Sequence, residues 1–272
     1  MELNLTDTSD KKPRRRICTN GCDRPINVCL CHKIPRDKIS TATKIIIIQH
    51  PHETRHKLAT VPVLAKCLGN CEIVFGRRLR RNVSPFLDSL YDDAVSNPEN
   101  ARPVVFLFPA SKTMPSVDIE EWKSLHADDN ADDNVMSNLV LIVFDATWKH
   151  AKEMVHASLP FLTKFATQVS LPISVEVDGA SIFSSELTLR KEPFSGCMST
   201  MEAIARCLRV LEQNGDEIES RLIELLRDMV KFQASFLKPM KPRVKLLKKS
   251  KAVGIENRDN DSRISYQDEN AV

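Results

Sequence analysis

Four of the eight cysteines fall within fourteen residues, Cys18, Cys22, Cys29 and Cys31, spaced C-x3-C-x6-C-x-C. Four thiolates on one short loop suit tetrahedral zinc, and the first pair lies within the usual ligand spacing. Asn20, Gly21 and Pro25 supply the turn residues that such a knuckle needs, and His32 could stand in for one ligand. A structural zinc is therefore expected, with a reduced, metal-free cluster as the alternative. Four thiolates would leave no open position for catalysis at the metal. No apolar segment of secretory type follows the start, so reduced thiols or metal ligation are expected in place of disulfides. Cys67, Cys71, Cys197 and Cys207 are scattered. Cys67 and Cys207 sit in helical apolar patterns and read as small buried hydrophobes.

A second group with chemical potential is Asp145-Ala146-Thr147-Trp148, placed directly after the apolar run 139–144. In open α/β sheets ligands gather at the carboxyl ends of strands, so Asp145 stands where a working acid or base would stand. Spacing alone leaves two roles open for it, that one and the cap of the helix that follows. Trp148 is likewise either a stacking surface or a core anchor with one satisfied N–H. His50 closes another apolar run, KIIIIQH, with His52 two residues on; for each, an ordinary hydrogen-bonded strand-end histidine is the simplest role.

These residues need a scaffold, and the hydrophobic pattern supplies one. Strands are predicted at 44–50, 72–75, 102–109 and 139–145, with 168–177 extended. Helices are predicted at 56–68, 85–95, 119–125 and 147–158, and two long ones at 199–213 and 217–237. Pro62 argues that the first helix begins late, and Ser199-Thr200-Met201-Glu202 has capping-box form. In 147–158, Ala151, Met154, Val155 and Ser158 should face inward, with Lys149, Lys152, Glu153 and His156 outward. Alternation of strands and helices points to an α/β fold, a mostly parallel sheet with helices on both faces.

Composition narrows the function classes. The chain has 272 residues, 42% hydrophobic, enough for one sizeable core. Its longest apolar runs are far shorter than the roughly 18 residues of a membrane span. Glycine is scarce, at 7 residues, and no G-x-G-x-x-G or G-K-[ST] run occurs, which excludes the common nucleotide loops. The net charge of +3 hides segregation: seven Lys/Arg and no acid in 238–251, four Arg in 77–81, and seven acids in 118–133. Such basic patches attract polyanions, nucleic acid among them, although a terminal basic run is as often a solvated tail.

Taken together, the motifs resemble those of the DTW-domain family over roughly residues 14–236. Cys22-Asp23-Arg24-Pro25 leading to Cys29-Leu30-Cys31 resembles its N-terminal cysteine motif. Gln49-His50-Pro51-His52-Glu53, with Thr60 further on, looks like its first-strand motif, and Asp145-Ala146-Thr147-Trp148 like the eponymous tetrad. Arg190-Lys191-Glu192-Pro193, then Cys197 to Ala203, resembles the motif that opens its late helix. Two features depart from the family: three residues between Cys18 and Cys22 where two are commoner, and the acidic insert around 128–133.

The resemblance implies a tRNA-uridine aminocarboxypropyltransferase, which moves the 3-amino-3-carboxypropyl group of S-adenosylmethionine to N3 of a uridine in tRNA and releases methylthioadenosine. It also implies similarity to the SPOUT class, with a C-terminal trefoil knot. On that basis Asp145 is the expected proton acceptor, Thr147 an orienting group, and Trp148 a stacking surface for cofactor or uracil. Ser199 and Thr200 at a helix start, with Arg190 and Lys191 upstream, are expected to meet the donor's carboxylate. His50, and comparably Glu53, become substrate-pocket candidates and not metal ligands. The expected layout is a flexible N-terminus at 1–13, the four-cysteine zinc knuckle at 14–35, the catalytic domain at 36–237 and a basic, then polar, disordered tail at 238–272. The expected partners are tRNA and S-adenosylmethionine, with no membrane, oligomeric state open, and a cytoplasmic or nuclear location. Two rivals remain: a SPOUT-type methyltransferase, and a non-catalytic zinc-containing RNA-binding module.

Overall fold

In the computed structural model, which describes residues 16–56, 58–111, 114–126, 138–172 and 198–236, strands and helices alternate. In chain order they are β1 (Lys44–Gln49), α1 (Val61–Cys67), β2 (Cys71–Phe75), α2 (Pro85–Ser96), β3 (Val104–Leu107) and β4 (Val117–Asp118). There follow α3 (Ile119–His126), β5 (Val140–Asp145), α4 (Trp148–Leu162), β6 (Thr167–Ser170), α5 (Thr200–Leu211) and α6 (Gly215–Ala234). The strands form one sheet in the order β2-β1-β5-β3-β6-β4, and every pairing is parallel. The expected mostly parallel sheet is thus wholly parallel among the described residues.

Parallel strands are buried on both faces, and the sequence of β1 and β5 shows it. Ile45, Ile46, Ile47 and Ile48 are all fully buried, as are Val140, Leu141 and Ile142. Alternation divides their side chains between two cores. Ile45, Ile47, Leu141 and Val143 pack with residues of α1, α3, α5 and α6. Ile46, Ile48, Ile142 and Phe144 pack with α2 and α4. Helices therefore cover both faces, as the alternating pattern predicted.

Local chemistry sets the helix ends. Ser84, Thr147 and Ser199 each stand at an N-cap and accept a hydrogen bond from the backbone N–H three residues on. A Cβ at Gly215 would collide with the Arg209 backbone, so the tight α5–α6 corner requires glycine there. At the same corner the Glu212 carboxylate accepts hydrogen bonds from the amides of Ala42 (3.0 Å) and Thr43 (2.8 Å), fixing the entry to β1.

Several boundaries differ from expectation. The first helix starts at Val61, where Pro62 occupies a first-turn position that needs no N–H; a short 3-10 turn, Glu53–Arg55, precedes it. α4 runs past Ser158 to Leu162, because Pro160 falls in its last turn. The two-residue strand β4 is too short to leave a periodic signal. β6 ends at Ser170, and 173–177 lies outside the described residues. So does most of the β6–α5 connection, 173–197, and with it the knot implied by the resemblance, together with the acidic insert and the 238–251 run.

Candidate active site

Asp145 is the last residue of the central strand β5 and is 8% exposed. Across the sheet it stands in register with Gln49, the last residue of β1. Residues in register share a face, and the Gln49 Nε2 amide donates to Asp145 Oδ2 at 2.8 Å. From the helix layer above, the Thr200 hydroxyl donates to Asp145 Oδ1 at 2.6 Å. Strand end, neighbouring strand and helix start thus converge on one carboxylate and fix its plane. Asp145 is not the cap of α4. That role belongs to Thr147, whose Oγ1 accepts from the His150 N–H at 3.4 Å and contacts His150 Nδ1 at 3.2 Å.

The tetrad therefore divides its labour by position. Asp145 ends the strand, Ala146 makes the turn, Thr147 caps the helix, and Trp148 begins it. The half-buried Trp148 ring lies 6.3 Å, centroid to centroid, from Phe108. Both rings line a cleft of about 650 Å³ at the carboxyl edge of the sheet, together with Phe144, Ser170, Thr200 and Ala203. Its volume lies within the ~300–1,000 Å³ of ordinary small-molecule sites, and its walls are mainly apolar. Asp118 is its acidic member.

On the opposite face of β1 and β5 the chain assembles a group of imidazoles. His50 is 3% exposed and stacks on His150, with centroids 4.4 Å apart and planes 11° from parallel. His52 meets both rings edge-on, and its backbone N–H donates to His50 Nδ1 at 3.2 Å. That bond makes Nδ1 the acceptor and puts the proton of neutral His50 on Nε2. Burial, then His150, His52 and Arg77, hold the His50 pKa below the usual histidine value, with Glu153 opposing.

At the N-terminal end the four clustered cysteines come together. Sγ–Sγ separations are 3.6 Å for Cys18–Cys31, 3.6 Å for Cys22–Cys29 and 3.4 Å for Cys29–Cys18. These are far from the ~2.05 Å of a disulfide. They approach the ~3.8 Å edge of a tetrahedron with ~2.3 Å zinc–sulfur bonds. Gly21, at φ +104, makes the turn between the first two thiols. Burial pushes the Cys22 thiol up, but the amides of Leu30 and Arg24 and the neighbouring thiols outweigh it and bring the pKa to about 6. Cys31 is pushed up to about 12 by burial and by the other three thiols. Cys67 and Cys207, by contrast, are fully buried in helices as expected, and burial raises both thiols.

Comparison with known proteins accords with this geometry. The family model of the DTW domain matches residues 15–234. The chain belongs to the DTW-domain family. Among curated members of similar sequence, tRNA-uridine aminocarboxypropyltransferase A of Arabidopsis thaliana is 49% identical over 251 residues, 91% of this chain and 92% of that protein. tRNA-uridine aminocarboxypropyltransferase 2 of Drosophila melanogaster is 30% identical over 235 residues, 85% of this chain and 80% of the relative. The protein of that name in Macaca fascicularis is 30% identical over 222 residues, 81% of this chain and 64% of the relative. No solved structure matches.

In this DTW chain the structure brings Asp145, Thr200 and Trp148 to one end of the sheet, with Thr147 exposed beside them. Ser199, 6% exposed, is engaged in capping α5 through the Glu202 N–H. Arg190 and Lys191 lie outside the described residues. Gln49 and His150 were not candidates from sequence. A polar side chain ending the apolar run 45–48 was the available signal for Gln49. Nothing in the spacing of the α4 residues linked His150 to His50, since only the parallel pairing of β1 with β5 brings them together.

Proposed function

We propose that this chain is a tRNA-uridine aminocarboxypropyltransferase in which Asp145 accepts the proton from uridine N3. The single observation that carries the assignment of roles is the position of Asp145, held by Gln49 and Thr200 beside an apolar cleft of small-molecule size. The 49% identity to a curated enzyme of that name supports the reaction class.

S-adenosylmethionine, when bound, supplies a γ-carbon activated by the sulfonium; transfer forms the N3–Cγ bond, breaks Cγ–S and releases methylthioadenosine. The cleft fits that molecule in kind. Phe108, Phe144 and Trp148 offer apolar and aromatic surface for an adenosine and a thioether, and Asp118, Ser170 and Thr200 offer polar contacts at the edge. The amides at the start of α5 face a negative group favourably, and Arg190 and Lys191 add charge of the right sign in sequence. Uridine N3–H is a weakly acidic imide, so its nucleophilicity rises as the proton passes to Asp145. Gln49 and Thr200 do not react; they fix which carboxylate lone pairs face the base. The four clustered cysteines would hold zinc in a structural role, since four thiolates leave no open position at the metal for catalysis.

Incubation of the purified protein with S-adenosylmethionine and unmodified tRNA, followed by nucleoside mass spectrometry, tests the reading. Aminocarboxypropyl uridine is the expected product. Methylated uridine alone would replace the reading with methyl transfer, since a rotated donor pose presents the methyl carbon instead.

A further inference from the structure

The reading above leaves the edge strand β2 and the loop after it without a role. Phe75, 61% exposed, ends β2 on the same face of the sheet as Ile73. It stands in register with Gln49, and Gln49 with Asp145. Two inter-strand spacings, about 10 Å, therefore separate its backbone from that of Asp145. The cleft with Trp148 lies on the other side of Asp145, so Phe75 flanks the carboxylate from the side opposite the donor's cleft.

Next come Arg77, Arg78, Leu79, Arg80 and Arg81. This segment is anchored. Leu79 is 1% exposed in the core beneath α4, and its N–H donates to the buried Ser158 hydroxyl at 2.8 Å. Arg81 is engaged by Asp92 at 2.6 Å and lies over the Tyr91 ring. Arg77, Arg78 and Arg80 are exposed and have no acidic partner among the described residues. Arg77 is near enough to depress the His50 pKa, which ties the loop to the imidazole group, and Lys149 and Lys152 are exposed on α4 with Glu153.

An exposed aromatic side chain, followed two to five residues on in the chain by three exposed guanidinium groups with no acidic partner among the described residues, offers what unstacked bases and their phosphates bind. We infer that Phe75 with Arg77, Arg78 and Arg80 forms a docking surface for single-stranded RNA, stacking a nucleotide next to the target uridine. This rests on the tRNA-modifying reading and adds to it the side from which RNA arrives.

The test measures affinity separately from transfer. Fluorescence anisotropy with a short single-stranded oligouridine and with unmodified tRNA is run over a salt series, alongside steady-state transfer. Phe75→Ala should weaken both RNAs about 5- to 150-fold, the range for removing one base–aromatic stack, without changing the salt slope. Phe75→Trp should keep wild-type affinity, which separates stacking from fold damage. The Arg77→Ala/Arg78→Ala/Arg80→Ala protein should lose about 2 from the magnitude of the slope of log K against log salt on the oligouridine. Both changes should raise the KM for tRNA far more than that for S-adenosylmethionine, while Leu125→Ala, at another exposed apolar side chain, should alter neither. Unchanged RNA affinity and salt slope in both variants would overturn the proposal. So would a Phe75→Ala protein whose self-association changes while its RNA affinity holds. A wild-type protein that binds RNA through these residues but transfers nothing would instead overturn the enzymatic reading and leave the surface standing.

Discussion

Asp145 carries two hydrogen bonds that suit its charged form, from Gln49 and Thr200, and both donors come from other elements. An amide at this position preserves shape and much of that bonding but accepts no proton. Asp145→Asn should therefore lower kcat by about 10²–10⁴-fold, the usual worth of a positioned base, while tRNA affinity measured by anisotropy stays at the wild-type value. A residue-scale pH effect arises at His50, whose pKa is held below 6.5 by burial and by its neighbours. As pH falls below about 6.5, the unfolded chain takes up the proton at this site while the folded chain does not, so stability present above that pH is lost. Melting temperatures between pH 7 and 5 should fall in the wild type, and His50→Gln should flatten part of that fall. Much of the chemistry at this scale was legible in sequence: Asp145 follows a buried apolar run, and four close cysteines declare a cage. The partners were less so, because Gln49, Thr200 and His150 reach their places by strand pairing and helix packing, which no local pattern encodes.

At the scale of elements, long periodic segments were readable and short ones were not. β1 and β5 declare themselves as unbroken apolar runs and α5 and α6 by their helical period, whereas β4 has two residues and owes its existence to its neighbour β6. The cysteine knuckle is an element of another kind, with almost no core of its own beyond Leu30 and Val28. It docks on α6 through Arg24, which donates to Val28 O at 3.0 Å and to Gln233 Oε1 at 3.4 Å, and through the Lys33–Asp228 ion pair at 2.7 Å. So small a unit needs a cross-link, and with four free thiols a bound metal would supply it. The protein should contain one zinc per chain by elemental analysis. Chelation, or Cys31→Ser, should lower the melting temperature and increase amide exchange in the knuckle and along α6, with slower change in β1 and β5. Metal-free protein that melts like the wild type would show that packing on α6 suffices.

For the molecule as a whole, the net charge of +3 is the sum of opposed regions, and without the seven cations of 238–251 the rest of the chain is net acidic. The opposed regions bear on binding, because a polyanion responds to local charge and an isolated cofactor cleft does not. No described helix is long and apolar enough to cross a membrane; under the proposed tRNA-modifying reaction, tRNA is the polyanion these cations would meet. If the basic run contacts tRNA phosphates, removing it subtracts counterion release and leaves the chemistry at Asp145 intact. A chain ending at 237 should bind tRNA more weakly at about 50 mM salt, with the slope of log K against log salt reduced by about 0.7–0.9 for each phosphate that the run neutralises. Its kcat at saturating tRNA should stay close to that of the full chain, the opposite of the Asp145→Asn result. An unaltered salt slope would assign the run to another task, such as address recognition by an import receptor, and would leave Arg77, Arg78 and Arg80 as the main cationic contribution to RNA binding.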